Sequence, residues 1–269
     1  MNRRVRIAAV LTGIAALLAT AAASGGLLLD GLYRDNLFVT TVWRATDRVT
    51  LFVVIPILVL TGATRRRGST AAFLVWAGIL DYLIYNSAFY LFAAAFNGMF
   101  PVYVLIINTS AAALILLFTG RDVGALGSAF AGSARVRIVA IFLFFVALGL
   151  TTVYLSQIAA FIAAGRLPAI IELTGHPTNV VFALDLTLVV PVFILAGILL
   201  WRKRTWGYIL AGMGLVKGLL FNGVLAYAAF RTSRAGVPDS AAEIPIWIGL
   251  GLGSLAALGL LMSDRRRRV

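Results

Sequence analysis

The 269-residue chain contains no cysteine. Disulfides, thiolate metal sites, iron–sulfur clusters and cysteine nucleophiles are therefore excluded. Acid is scarce too: ten Asp and Glu stand against 23 Lys and Arg. Only two of those bases are lysine, Lys203 and Lys217, and the single histidine is His176. No phosphate loop, dinucleotide fingerprint, paired-histidine motif or Gly-x-Ser-x-Gly elbow occurs. Thr109 and Ser110 have no catalytic partner at a useful spacing. One histidine with one nearby carboxylate, His176 with Glu172, makes a poor metal site. Neither a metal nor a cofactor is expected.

What the chain has is apolar surface. It is 61% hydrophobic, with a mean hydropathy of +0.99. A soluble domain cannot bury that much, so the excess must face lipid. About 20 apolar residues cross a bilayer as a helix, and only helices satisfy their own backbone at such lengths. The runs predict spans over 7–27, 48–63, 71–95, 99–119, 137–160, 178–201, 206–230 and 243–263. The second is short, and Leu27–Val49 before it, with Leu32, Tyr33, Phe38 and Trp43, reads as an interfacial helix lying on the outer surface.

Arginine sets the orientation. Sixteen of the 23 basic residues fall at the chain ends and in the alternate loops on the same side, in clusters such as Arg3–Arg6, Arg65–Arg67, Arg202–Arg204 and Arg265–Arg268. Six fall on the other side, and Lys217 lies within a span. The asymmetry predicts both termini in the cytoplasm. It also assigns the net charge of +13 to anchoring on anionic lipid, with no nucleic-acid partner. The basic start, the apolar stretch and the small run Ala21–Ser24 have the form of a secretory signal. The internal repeat argues instead for a retained helix.

That repeat joins the two halves span by span. Gly78 and Asn86 of the third span match Gly214 and Asn222 of the seventh. Pro101-Val-Tyr-Val of the fourth matches Pro245-Ile-Trp-Ile of the eighth, and Ser110–Leu117 matches Ser254–Leu261. Pro56 and Gly62 match Pro191 and Gly197 at equal separation, and Val5-Arg-Ile matches Val136-Arg-Ile. The expected organisation is one all-α membrane domain of two tandem four-helix repeats, residues 1–130 and 131–269. Four spans per half make the repeats parallel, about an axis along the membrane normal. Pro56 and Pro191 should kink equivalent helices.

Three ionisable residues fall inside spans: Asp81, Asp185 and Lys217. Each is costly in hydrocarbon and should face protein or water. Asp81 and Lys217 occupy matching positions, roughly 17 Å from the cytoplasmic ends of their helices. An ion pair across the repeat axis is expected, serving either as a site or as a brace. Lysine suits a group that loses a proton on burial, as arginine does not. Asn86, Asn222, Tyr85 and Asn108 lie at middle or outer depths, which suggests a polar pocket opening outward. Glu172 and His176 are candidates for a loop that caps it.

The run Asp185-Leu-Thr-Leu-Val-Val-Pro191, continued by Leu200-Trp-Arg-Lys-Arg-Thr-Trp-Gly-Tyr208, resembles a pattern of uncharacterised bacterial multi-pass membrane proteins. The resemblance covers the sixth and seventh spans. It implies a bacterial cytoplasmic membrane location and carries no activity. A lysine in the seventh span also resembles retinal proteins, but the eighth span and the tandem repeat depart from that pattern. The functional expectation is transport or binding of a small molecule or ion. The alternatives are an intramembrane enzyme acting on lipid, with Asp81 or Asp185 as acid/base, and a non-catalytic scaffold or sensor subunit. Oligomeric state is not fixed by the sequence.

Overall fold

The computed structural model describes residues 2–64, 69–124 and 135–263. Arg65–Arg67, Arg265–Arg268 and the boundary between the expected halves at 130/131 lie outside the described residues. Among the described residues the chain is all-helical, with no strand. Eight helices among these residues are long and apolar enough to cross a membrane: Arg3–Leu28, Leu37–Gly62, Thr70–Ala93, Phe100–Thr119, Val136–Ala164, Val180–Trp201, Thr205–Arg234 and Ser240–Ser263. They are called the first to eighth spans below. Side chains such as Leu17, Phe145, Leu148 and Leu252 are 60–73% exposed, which fits a lipid-facing surface and not an aqueous one.

The second span departs from the sequence reading. Leu37–Val49 is not a separate interfacial helix; it runs through a π-helical turn, Thr50–Val54, into Ile55–Thr64. Asn36 caps its start by accepting from the Val39 N–H. Arg44, Asp47 and Arg48 lower the local hydropathy, which hides the first half of this helix from a hydropathy window. Its buried positions Val39, Trp43, Asp47, Thr50 and Val54 nonetheless follow helical spacing.

A second π turn, Asp185–Val189, interrupts the sixth span. In each case the turn starts six residues before a proline, Pro56 or Pro191. A proline ring clashes with the carbonyl four residues back and offers no N–H. Widening the ladder there relieves both problems: the Ile55 N–H bonds the Thr50 carbonyl and the Val190 N–H bonds the Asp185 carbonyl, five residues apart.

The third and seventh spans form the centre. Some 78% and 56% of their apolar stretches are buried, against 28–39% for the other six. Glycine permits their close approach: a Cβ on Gly78 would stand 2.5 Å from the Val216 Cβ and 3.0 Å from the Met213 carbonyl. Around this pair the first span packs on the fourth, the fifth on the sixth, and the eighth along the seventh.

The face where the first span begins and the eighth ends is the proximal face; the other is distal. Near the distal face the two halves differ. The first span buries Ala19, Ala22, Ala23, Gly25 and Gly26 there, whereas beyond Ala147 the fifth span buries Tyr154 alone. Residues 241–250 of the eighth span include no buried side chain. The distal loops meet at Asp35 and Asn36. Asp35 accepts from the Ala95 N–H at 3.0 Å and the Trp43 indole at 3.2 Å. The Asn36 amide donates to the carbonyls of Leu173 and Thr174 at 2.9 and 3.0 Å.

Candidate functional site

Asp81 and Lys217 meet midway along the two central spans, with Nζ 3.0 Å from Oδ2. The lysine side chain is 8% exposed and the aspartate 28%, although Asp81 sits on the most buried helix. The lysine end of the pair is thus enclosed and the aspartate end partly exposed. Lys217 Nζ also lies 4.9 Å from the centre of the Tyr85 ring, within cation–π range.

Tyr85 carries the network onward. Its hydroxyl donates to one oxygen of Asp185, and the Tyr154 hydroxyl donates to the other at 2.6 Å. Asp185 is 6% exposed and opens the π turn of the sixth span. Among the described residues no direct ion pair reaches it. Five side chains from the third, fifth, sixth and seventh spans thus form one site holding two carboxylates and one ammonium. Aromatic rings wall it. Tyr85 meets Phe89 and Phe221 edge-on at 5.0 Å each, and Tyr154 stacks on Phe182 at 4.4 Å.

The remaining candidates are distributed as follows. Asn86 is buried on the third span, one residue beyond Tyr85. Asn222 is half-buried and spends its amide on the Gly218 carbonyl, 2.7 Å away. Asn108 faces outward from the fourth span, so it does not converge on the site. Glu172 is exposed on the short distal helix Ala169–Thr174. His176 has Asp35, not Glu172, as its acidic neighbour, at 3.8 Å. The two loop candidates therefore do not act together: His176 turns to the loop after the first span.

A second buried carboxylate escaped the sequence reading. Asp47, 3% exposed, accepts from the Tyr33 hydroxyl at 2.7 Å and the Tyr90 hydroxyl at 2.9 Å. Tyr90 lies 4.8 Å from Trp43 and 5.0 Å from Tyr103, ring to ring. Nearby, Thr50 and Tyr82 share a 3.3 Å hydroxyl contact. Burial, and then the Asp47 charge, push the Tyr33 hydroxyl far above the ordinary phenol range, which keeps it a donor. The signal was present in the helical spacing of Trp43, Asp47, Thr50 and Val54. It was missed because the flanking arginines made the segment look interfacial.

The fold and site define a class: an all-helical, multi-pass membrane protein with a charged network buried at mid-span. Comparison with known protein-family models, with curated proteins and with solved structures gives no match that would narrow the class further.

Proposed function

We propose that this protein binds and transports a small molecule or ion at the Asp81–Lys217–Asp185 network, in exchange with protons. The observation that carries the reading is the charge count. Two carboxylates share one ammonium in a low-dielectric site, and an unbalanced buried charge costs several kcal/mol. A proton or a cationic ligand supplies the missing positive charge, and competition between the two is the basis of coupling. Asp81 is the accessible end; Asp185 is the enclosed one, held by two hydroxyls.

The organisation proposed with it is a tandem duplication about an axis between the third and seventh spans. Support comes from the two π turns, which stand 135 residues apart like Pro56 and Pro191, and from Tyr85 meeting Phe221, its counterpart in the repeat. Ligand sites at a repeat interface near the bilayer midplane are usual in transporters of this build. We put both termini inside on the arginine asymmetry, and the chain in a bacterial cytoplasmic membrane on the resemblance of Asp185–Tyr208 to bacterial multi-pass membrane proteins.

The test is proton binding by purified protein in unbuffered detergent. Wild type should bind one proton more than Asp185→Asn across the neutral range, and Asp81→Asn should abolish the same step. If both variants titrate like wild type, the network does not exchange protons and the reading fails. A brace alone would leave the titration unmoved by either variant. A lipid-modifying enzyme would instead reveal itself by a lipid species that accumulates when the chain is deleted.

A further inference from the structure

Resting on that reading, we propose that the ligand is a lipophilic organic cation, which reaches the Asp81–Asp185 site from the bilayer through the gap between the distal halves of the fifth and eighth spans.

The charge of the ligand follows from the site. With both carboxylates ionised, Lys217 cancels only one of them, so an additional cation completes the balance. Its chemistry follows from the walls. Tyr85 and Tyr154 touch Asp185, and Phe89, Phe221 and Phe182 pack against those two rings, so the surroundings of this carboxylate are mainly aromatic. The Tyr85 and Tyr154 hydroxyls are committed to Asp185, and the Asn222 amide to Gly218. Such a site suits a diffuse positive charge carried on apolar groups, which gains from ring faces and has little hydration to lose. A divalent metal ion favours a cluster of three or more carboxylate or imidazole groups, and none occurs among the described residues.

The route follows from the asymmetry between the halves. In the first half the distal part of the first span is sealed by close packing, as where Met99 lies against Gly25. In the second half nothing comparable is present among the described residues. Tyr154, the one buried side chain in the distal part of the fifth span, is also the residue that touches Asp185. Ser156 of the fifth span and Gly249 of the eighth are exposed, and Asn222 and Gly223 of the seventh span stay partly or fully open. A gap at that depth opens on lipid tails, so it selects for solutes that partition there. Binding is written as Asp185–COOH plus cation giving carboxylate·cation plus one proton released, with no other reactant.

The experiment uses the full chain in detergent, with tetraphenylphosphonium as probe and tetramethylammonium as a hydrophilic control. Tetraphenylphosphonium should bind saturably and release about one proton per cation. Asp185→Asn and Asp81→Asn each leave one carboxylate balanced by Lys217, and each should weaken binding by tenfold or more, on the order of one unit charge at these distances. Lys217→Met should move the other way and tighten it by roughly tenfold, a gain that a damaged fold would not produce. Ser156→Trp and Gly249→Trp, outside the network, should slow association about tenfold while leaving the proton titration unchanged. No saturable binding, equal binding of both probes, or binding unaffected by Asp185→Asn and Asp81→Asn overturns the ligand class. Unchanged association in both tryptophan variants overturns the route. If the probe fails to bind while the Asp185-dependent proton step persists, the proton-exchanging site stands and only this inference falls.

Discussion

Lys217→Met should destabilise the fold by about 3 kcal/mol, and a second change, Asp81→Asn, should restore most of that. The reasoning starts from the 3.0 Å contact. At an effective dielectric of about 20, two unit charges at that distance attract by about 5.5 kcal/mol. Desolvation of both groups offsets much of this, so the pair itself adds little net stability. Removing one partner is different, because it leaves the other charge buried without compensation, at a typical cost of about 3–5 kcal/mol. Asp81 keeps 28% of its side chain exposed, which sets the low end of that range. Adding Asp81→Asn removes the stranded charge, and the double variant should return to within about 1 kcal/mol of wild type. Asp185→Asn in the Lys217→Met background should restore less, because Asp185 leans on two hydroxyls and makes no direct bond to the lysine. The assay is reversible unfolding in mixed micelles of increasing dodecyl sulfate content, followed by circular dichroism. Additive losses in the double variant would refute the pairing. A larger rescue by Asp185→Asn than by Asp81→Asn would assign the lysine to the wrong carboxylate.

Tyr90→Phe removes the hydroxyl that donates to the buried Asp47, and the same unfolding assay should register a loss of about 1–3 kcal/mol. Tyr33→Phe should behave alike, and the two losses should not add, since both act through one carboxylate. Gly78→Ala should cost about 1–3 kcal/mol in the same assay by pressing a methyl group into Val216. The native absence of cysteine makes topology directly measurable. Ala235→Cys should react with an impermeant maleimide on intact cells, whereas Arg202→Cys should react only after permeabilisation; the reverse pattern would invert the orientation.

How legible each part was depends on what set it. The spans were visible wherever apolar residues alone made the helix, and Thr70–Ala93 and Phe100–Thr119 fall within two residues of the hydropathy limits at each end. The first half of the second span was not, because its lining is polar and its partners, Tyr33 and Tyr90, lie 14 and 43 residues away. Asp81 and Lys217 could be placed at one depth by counting residues from aligned helix ends. That Tyr85 and Tyr154 converge on Asp185 could not, since their helices are brought together by packing that no local pattern encodes. His176 went to Asp35 and not to Glu172 for the same reason: sequence proximity is a weak guide where loops from different halves meet.

The π turns give the molecule a kind of screw joint. An α-helix advances about 100° per residue, so a π turn that winds into α register must rotate one end of its helix against the other by roughly that angle. In the sixth span such a rewinding would swing Asp185 away from both tyrosines at once, while Asp81 and Lys217, on uninterrupted helices, would keep their places. The enclosed carboxylate is therefore mounted on the one element of the site whose register can change without moving the axis through the centre. Deleting a single residue from Leu186–Val189 fixes that rotation permanently, and loss of the Asp185 proton step with the Asp81–Lys217 contact intact would be its signature.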